Sequence, residues 1–307
     1  SMSGEKIQQA RDALTFCVNS LNPQDRFNII AFSDSVKTFS DKQVRASADK
    51  VKEAREFIGD FEARGGTDID SALREALKQQ IGDDVNYICF LTDGEPTVGE
   101  TDNEQIVKNV AREAEKGSGT TRLFVFGVGY DVNTNLLDKL AQGNGGLTTY
   151  VRPSEDIEVK VSSFFAKIAQ PLLTDVTLEY GRLDVYDSFP RDLPDLFHGS
   201  QIEVMGRYKS NSAGRCNVVM TGKAGSGSQT FELGYDFPEQ RDGTEYIAML
   251  WASRKIGYLL DQIRLHGEKK ELVDEVVKLS MEYGILTEYT AFLADEDRAV
   301  TADEARD

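Results

Sequence analysis

Hydroxyl and carboxylate side chains occupy three loops that each lead into a predicted helix or follow a predicted strand. These loops carry Ser1, Thr67 and Asp93. In an open parallel sheet, loops at the carboxyl ends of the strands converge at one edge and hold the ligand. Hydroxyl, carboxylate and water oxygens are the ligands that Mg²⁺ prefers. The pattern predicts a divalent-cation site with an exchangeable position, which a carboxylate of a partner protein can take.

Each of these motifs also has a structural interpretation. Thr67 after two glycines is typical of a helix N-cap, and Asp93 before a glycine is typical of a turn. Asp34 follows another predicted strand and is interpreted as a turn residue, while Glu95 is interpreted as a solvent-exposed neighbour of Asp93. The metal hypothesis therefore depends on the combination and order of the loops.

The first half of the chain alternates buried strands with amphipathic helices. Apolar runs rich in branched and aromatic residues predict strands at 26–33, 86–92 and 122–128, with shorter strands at 36–39 and 148–151. Helical spacing of apolar residues predicts helices at 5–21, 46–61, from 67 onward, 103–116, 134–141 and 155–169. This alternation predicts an α/β fold with a doubly wound, mainly parallel sheet.

The pattern changes after Pro171. Strands without helical spacers are predicted at 174–180, 183–186, 202–208, 216–221 and 230–235, which indicates an antiparallel region with a flexible hairpin tip or loop at 222–228. Helices follow at 244–265 and 269–283, and a last strand is predicted at 287–293. We therefore predict a Rossmann-like domain at residues 1–170, a β-rich region with a helical pair at 171–294, and an acidic tail at 295–307.

The amino-acid composition argues against several classes of function. The 307 residues include 52 Asp and Glu against 35 Lys and Arg, a formal net charge of −17. Such a balance argues against nucleic acid as a partner, because binding to phosphates requires Lys and Arg. Two histidines and three widely spaced cysteines give no zinc spacing and no histidine-based triad. The sequence shows no apolar run long enough to span a membrane.

Taken together, the motifs resemble a von Willebrand factor type A domain. The resemblance rests on residues 1–7 (SMSGEKI), the strand at 25–33, Gly65-Gly66-Thr67 and residues 91–94 (LTDG). More narrowly, residues 91–97 and the stretch from 264 to 290 are similar to inter-alpha-trypsin inhibitor heavy chains and their bacterial relatives. The resemblance covers nearly the whole chain.

This resemblance implies a metal-ion-dependent adhesion site. The family pattern is Asp-x-Ser-x-Ser after the first strand, a Thr in the second loop and an Asp in the third; Ser1, Thr67 and Asp93 match the last Ser, the Thr and the Asp. The expected metal is Mg²⁺, or else Mn²⁺ or Ca²⁺. The family's first Asp and Ser would precede Ser1, at the end of a central strand between those at 26–33 and 86–92.

We expect one of two explanations: the sequence is truncated before Ser1, or the strand comes from a companion segment, a second polypeptide produced by cleavage before Ser1. Residues 287–293 are an alternative occupant of the same place. Without the strand, its two neighbours would have open edges, and we expect that the chain would not fold alone as a complete domain.

The function implied is adhesion, by binding an exposed Asp or Glu of a protein partner, in a secreted or cell-surface protein. The alternative is a structural scaffold of a surface protein with a degenerate metal site. We do not expect an enzyme, because the motif loops offer carboxylates but no histidine as a general base.

Overall fold

A computed structural model describes residues 4–63, 65–82, 85–117, 119–169, 171–225, 227–239 and 243–290. The chain divides into two compact units, residues 1–172 and residues 173–307. Ser1 lies outside the described residues, as does the predicted tail at 295–307. Among the described helices, none is both long enough and apolar enough to cross a membrane.

The first unit alternates helices and strands, as predicted. Its described elements are α1 (Glu5–Asn19), β1 (Arg26–Phe27), β2 (Ile30–Phe32), β3 (Val36–Thr38), β4 (Val44–Arg45), α2 (Ala48–Gly59), α3 (Ile69–Lys78), β5 (Asn86–Thr92), α4 (Asn103–Ala114), β6 (Thr121–Val128), α5 (Thr134–Gly143), β7 (Thr148–Val151) and α6 (Ile157–Ile168). Three of the described strands form a parallel sheet in the order β5-β6-β7, and two separate antiparallel pairs join β1 with β4 and β2 with β3.

The predicted single strand at 26–33 is wrong in one respect, because it is interrupted at Asn28. The Asn28 side chain donates to the carbonyl of Ser40 at 2.6 Å and accepts from the amide of Ser40 at 3.1 Å. A side-chain amide thus replaces the backbone ladder at this point, so β1 and β2 pair with different strands.

The core of the first unit packs helices against the parallel sheet. In α3 the residues Ile69, Leu73 and Leu77 recur every four positions and are buried. They join buried residues of α4, α5, β5 and β6 in one cluster, and each such side chain stabilises the fold by about 1.5–3 kcal/mol. This core holds the carboxyl ends of β5 and β6 in place.

β5 is the terminal strand of the parallel sheet among the described strands. It pairs with β6 over seven residues, and most of its side chains are only partly buried. The rings of Phe32 in β2 and Phe90 in β5 stack with centroids 5.2 Å apart. Aromatic packing therefore connects β2 with β5, where the sequence predicted a central strand.

The described part of the second unit contains a four-stranded antiparallel sheet and two long helices. The elements are β8 (Pro171–Glu179), β9 (Val185–Phe189), β10 (Leu196–Phe197), β11 (Met205–Tyr208), a 3₁₀ turn (Ser210–Ser212), β12 (Gly214–Ala224), β13 (Gly227–Phe237), α7 (Glu245–His266) and α8 (Lys270–Tyr283). The sheet order is β10-β8-β12-β13, and β9 pairs with β11. Trp251 of α7 packs in the core with Phe189, and its Nε1 donates to the carbonyl of Asp187 at 2.8 Å.

One sequence prediction for this unit is too long and another is wrong. The chain reverses within the predicted segment 222–228, but most of that segment is paired strand, because the β12–β13 ladder continues to the pair Ala224 and Gly227. The predicted strand at 287–293 is helical at 288–290, where the Thr290 hydroxyl accepts from the Thr287 amide at 2.9 Å and the Thr290 amide donates to the Thr287 carbonyl at 3.1 Å. Residues 291–293 lie outside the described part of the chain.

Candidate functional site

Three loops of the first unit meet beyond the ends of β2 and β5. The amide of Asp68, just before α3, donates to the carbonyl of Ser33 at 3.0 Å. The amide of Gly66 donates to the carboxylate of Asp34, which follows β2. Gly65 has a positive φ of 77°, and a side chain there would collide with the same carboxylate. Asp34 is therefore more than the predicted turn residue, because it fastens the glycine loop to the end of β2.

Thr67 is held by the loop that follows β5. Its amide donates to the hydroxyl of Thr97 at 2.9 Å, and its carbonyl accepts from the amides of Thr97 at 3.0 Å and Val98 at 3.4 Å. The alternative role of Thr67 as an N-cap is wrong, because Asp68 caps α3 by accepting from the Ser71 amide at 3.0 Å. Because Asp68 supplies the cap, the half-buried side chain of Thr67 is available for another role.

Asp93 follows β5 directly and is buried, with 5% of its surface exposed. Its Oδ2 lies 3.7 Å from Nζ of Lys6, a residue in the first turn of α1. Gly129, with φ of 99°, follows β6, and a Cβ at this position would stand 3.2 Å from the same ammonium group. The ammonium therefore lies beside the carboxyl ends of both β5 and β6.

The structure brings two of the three predicted site residues onto connected loops. Thr67 and Asp93 belong to segments joined by the hydrogen bonds between Thr67 and Thr97, while Ser1 remains a prediction. Glu95 is exposed, as predicted. The sequence analysis missed Lys6, although a cation in the first turn of a helix is disfavoured by the helix dipole and was a usable signal.

The donor chemistry of Thr67 and Asp93 fits a hard divalent cation that keeps several water ligands. A hydroxyl and a buried carboxylate are both oxygen donors, which suits Mg²⁺ better than a soft metal. In the described residues, no group of three or more His, Cys, Asp or Glu could hold a metal. The described part of the site can therefore supply only some of the six ligands that Mg²⁺ requires.

A charged network anchors α3, the helix that follows Thr67, to α4. The Asp70 carboxylate accepts from Asn109 at 3.0 Å and pairs with Arg74 at 3.3 Å. Arg74 also lies 3.7 Å from Glu113, whose carboxylate accepts from Lys116 at 2.9 Å. The hydrogen bond from Lys116 holds the pKa of Glu113 below its ordinary value. This network fixes the base of the loop that carries Thr67.

Comparison with known proteins gives the same family as the motifs. Residues 1–150 match the family described as von Willebrand factor type A domain. The chain is 33% identical to inter-alpha-trypsin inhibitor heavy chain H4 of Homo sapiens, over 99% of this chain and 35% of that protein. It is 31% identical to heavy chain H3 of Rattus norvegicus, over 99% of this chain and 37% of that protein. The chain thus spans about a third of the length of these relatives.

A solved structure supports the fold. The von Willebrand factor type A protein of Catenulispora acidiphila matches with a TM-score of 0.58, covering 91% of this chain and 75% of that one. The sequence identity is 16%, so the likeness concerns the fold alone.

Proposed function

Because the chain belongs to the von Willebrand factor type A family through residues 1–150, we propose that it is a protein-binding module whose contact with its partner depends on a divalent cation. Thr67 and Asp93 would hold the cation, together with Ser1 and water. The observation that carries the proposal is the hydrogen-bonded connection between the Thr67 loop and the loop after β5, which starts with the buried Asp93.

The cation would supply an electrophilic position for an Asp or Glu of the partner. A single protein carboxylate on the metal leaves much of its positive charge unbalanced, which favours an incoming carboxylate. The chain's own groups have other tasks: Asp34 orients the glycine loop, and Lys6 places a positive charge beside Asp93. This is a binding role with no chemical step.

A companion segment belongs to the same proposal. An extended strand would pair with the second edge of β5, next to β2, and carry the remaining oxygen donors to the carboxyl end of the sheet. The placement is supported by the position of β5 at the end of the parallel sheet, where it pairs only with β6 among the described strands. A secreted or cell-surface location is proposed from the similarity to inter-alpha-trypsin inhibitor heavy chains.

Metal titration of the chelator-treated chain tests the proposal. Mg²⁺ or Mn²⁺ should raise the melting temperature, because a ligand at a hundred times its Kd stabilises the folded state by about 2.7 kcal/mol. Asp93→Asn and Thr67→Val should remove this effect, whereas Glu95→Gln, an exposed neighbour, should keep it. Stability unchanged by Mg²⁺, Mn²⁺ and Ca²⁺ would reject the metal site and favour the scaffold alternative.

Two further measurements separate the parts of the proposal. An acidic peptide should bind in Mg²⁺ and not in chelator, and its Asn-for-Asp version should bind in neither. Native mass spectrometry should find a companion peptide with the chain; a single species of 34.1 kDa that binds Mg²⁺ would reject the companion segment and keep the metal site.

A further inference from the structure

β13 in the second unit is a long strand at the end of a sheet. It pairs with β12 over eleven residues without a register break, and it is the last strand in the order β10-β8-β12-β13 among the described strands. Residues 227–236 are all exposed. An exposed edge of this length is a template for another strand, because its outer N–H and C=O groups can form a new ladder.

One face of β13 is apolar. Phe231, Leu233 and Tyr235 alternate along the strand and are 44%, 58% and 50% exposed. Residues directly opposite each other in an antiparallel pair share a face, and Tyr235 lies opposite the buried Cys216 of β12. The apolar row on β13 therefore continues the face that β12 buries, and it extends that face to the edge of the sheet.

The other face of β13 carries two acidic residues, and these restrict how a second β13 could pair. Like charges directly opposite each other are destabilising. An antiparallel register centred on Glu232 places that residue opposite its own copy, and a register centred on Gly234 places Glu232 opposite Asp236 twice. Both registers oppose carboxylates.

A register centred on Leu233 has no such conflict. It places Leu233 opposite Leu233, and Phe231 opposite Tyr235 in both directions. Glu232 then faces Gly234, and Asp236 faces Thr230, so each carboxylate meets an uncharged residue. The register uses residues 229–237 and joins the two apolar rows into one continuous face.

From this complementarity we propose that β13 is an interface between two copies of this chain, paired antiparallel about Leu233. The contact is isologous, so a twofold axis passes between the two strands and closes the assembly at a dimer. The two four-stranded sheets become one sheet of eight strands. This proposal concerns the second unit and stands independently of the metal site.

The net charge of −17 on each copy opposes the association. Salt screens this long-range repulsion and leaves the apolar contact and the backbone hydrogen bonds in place. The dimer should therefore become stronger as the salt concentration rises from about 0.02 M to about 0.5 M. An interface held by ion pairs would show the opposite dependence.

Cysteine cross-linking of the full chain tests both the partner and the register. Leu233→Cys brings two thiols directly opposite each other, so mild oxidation should give a disulfide-linked dimer. All cysteine variants carry Cys216→Ser, because the native Cys216 lies opposite Tyr235 on β12 and would otherwise compete for the new thiol. Tyr235→Cys is then the matched control, since its thiol faces Phe231 of the other copy and not its own counterpart. The double variant Phe231→Cys/Tyr235→Cys should cross-link again. Equal cross-linking of both single variants would overturn the register.

Sedimentation equilibrium of charge variants gives a second test. Leu233→Lys should give a monomer, because two ammonium groups would meet at the twofold axis. Thr230→Lys places a lysine opposite Asp236 twice and should tighten the dimer about twofold to tenfold. Circular dichroism and melting curves verify that both variants fold. A monomer for the unaltered chain at millimolar concentration and high salt would overturn the proposal and leave this face to a different protein.

Discussion

Nζ of Lys6 lies 3.7 Å from Oδ2 of Asp93, so α1 directs a positive charge at the carboxylate that follows β5. The Lys6 side chain is partly exposed, while the Asp93 carboxylate is buried. A charge pair with one buried member is screened less than a surface pair. A cation that binds Asp93 must therefore coexist with the ammonium group or displace it, which makes Lys6 a determinant of metal affinity.

Replacing this lysine should strengthen metal binding. Lys6→Met keeps an unbranched side chain and removes the positive charge, so the affinity for Mg²⁺ should rise about tenfold. Isothermal titration calorimetry measures the change. Lys6→Arg retains the charge and serves as the control. An affinity that falls in Lys6→Met would mean that the lysine supports the metal site.

The cap of α3 should contribute to stability through its hydrogen bond. Asp68→Ala removes the acceptor of the Ser71 amide and should lower the free energy of unfolding by about 0.5–2 kcal/mol. Asp68→Asn keeps a capping oxygen, so its free energy of unfolding should fall by much less. Urea denaturation measures both variants. Equal losses would assign the effect to the charge of Asp68 and not to the cap.

The pairing of Glu113 with Lys116 predicts a pH-dependent contribution to stability. The folded-state pKa of Glu113 lies below its ordinary value of 4.5, so the contribution is present above about pH 4.5 and is lost as pH falls through the folded pKa. Lys116→Met removes the main cause. At about pH 7 this substitution should lower the free energy of unfolding by about 0.2–1 kcal/mol, because Lys116 is largely exposed. In strong acid, where Glu113 is protonated, it should lower it by nothing.

A double-mutant cycle isolates this pair. In a Glu113→Gln background, Lys116→Met should change the free energy of unfolding by the same small amount at every pH. The free energy of unfolding is measured by urea titration between about pH 3 and about pH 7, because the carboxylate titrates within this range. A pH-dependent effect that persists without Glu113 would assign it to another carboxylate.

Two cysteines of the first unit should resist thiol reagents. Burial raises the pKa of Cys89 to about 12, and burial together with the neighbouring Cys89 raises the pKa of Cys17 strongly. Since the thiolate is the reactive form, both should react slowly with Ellman's reagent at about pH 8. All three cysteines should react at once in denaturant. Rapid reaction at Cys89 in the folded chain would show that β5 opens locally.

The sequence predicted the parallel sheet well because its strands are long and continuously apolar. The strand at 86–92 matches β5 to the residue, and the position of Asp93 at its end followed from that. Short or interrupted strands were harder to predict. The interruption at Asn28 could not be foreseen, because it depends on a side-chain amide that replaces backbone hydrogen bonds with Ser40.

The candidate site was predicted only in part. Thr67 and Asp93 could be predicted because each lies in a loop at the end of a predicted element, Thr67 before a helix and Asp93 after a strand. The roles of Asp34 and Lys6 depend on where a loop folds back and where a long side chain reaches, and spacing along the chain specifies neither. The presence of a bound cation and the role of Ser1 as one of its ligands remain predictions.

The reciprocal bonds between Thr67 and Thr97 have a kinetic consequence. Neither loop can open alone, because separating them breaks the bonds of three amides, those of Thr67, Thr97 and Val98, in a single event. These three amide protons should therefore exchange with deuterium at one shared rate, as a cooperative unit does. A cation bound by the Thr67 side chain would therefore also slow exchange at the amides of Thr97 and Val98, so these two amides would report occupancy of the site from a distance.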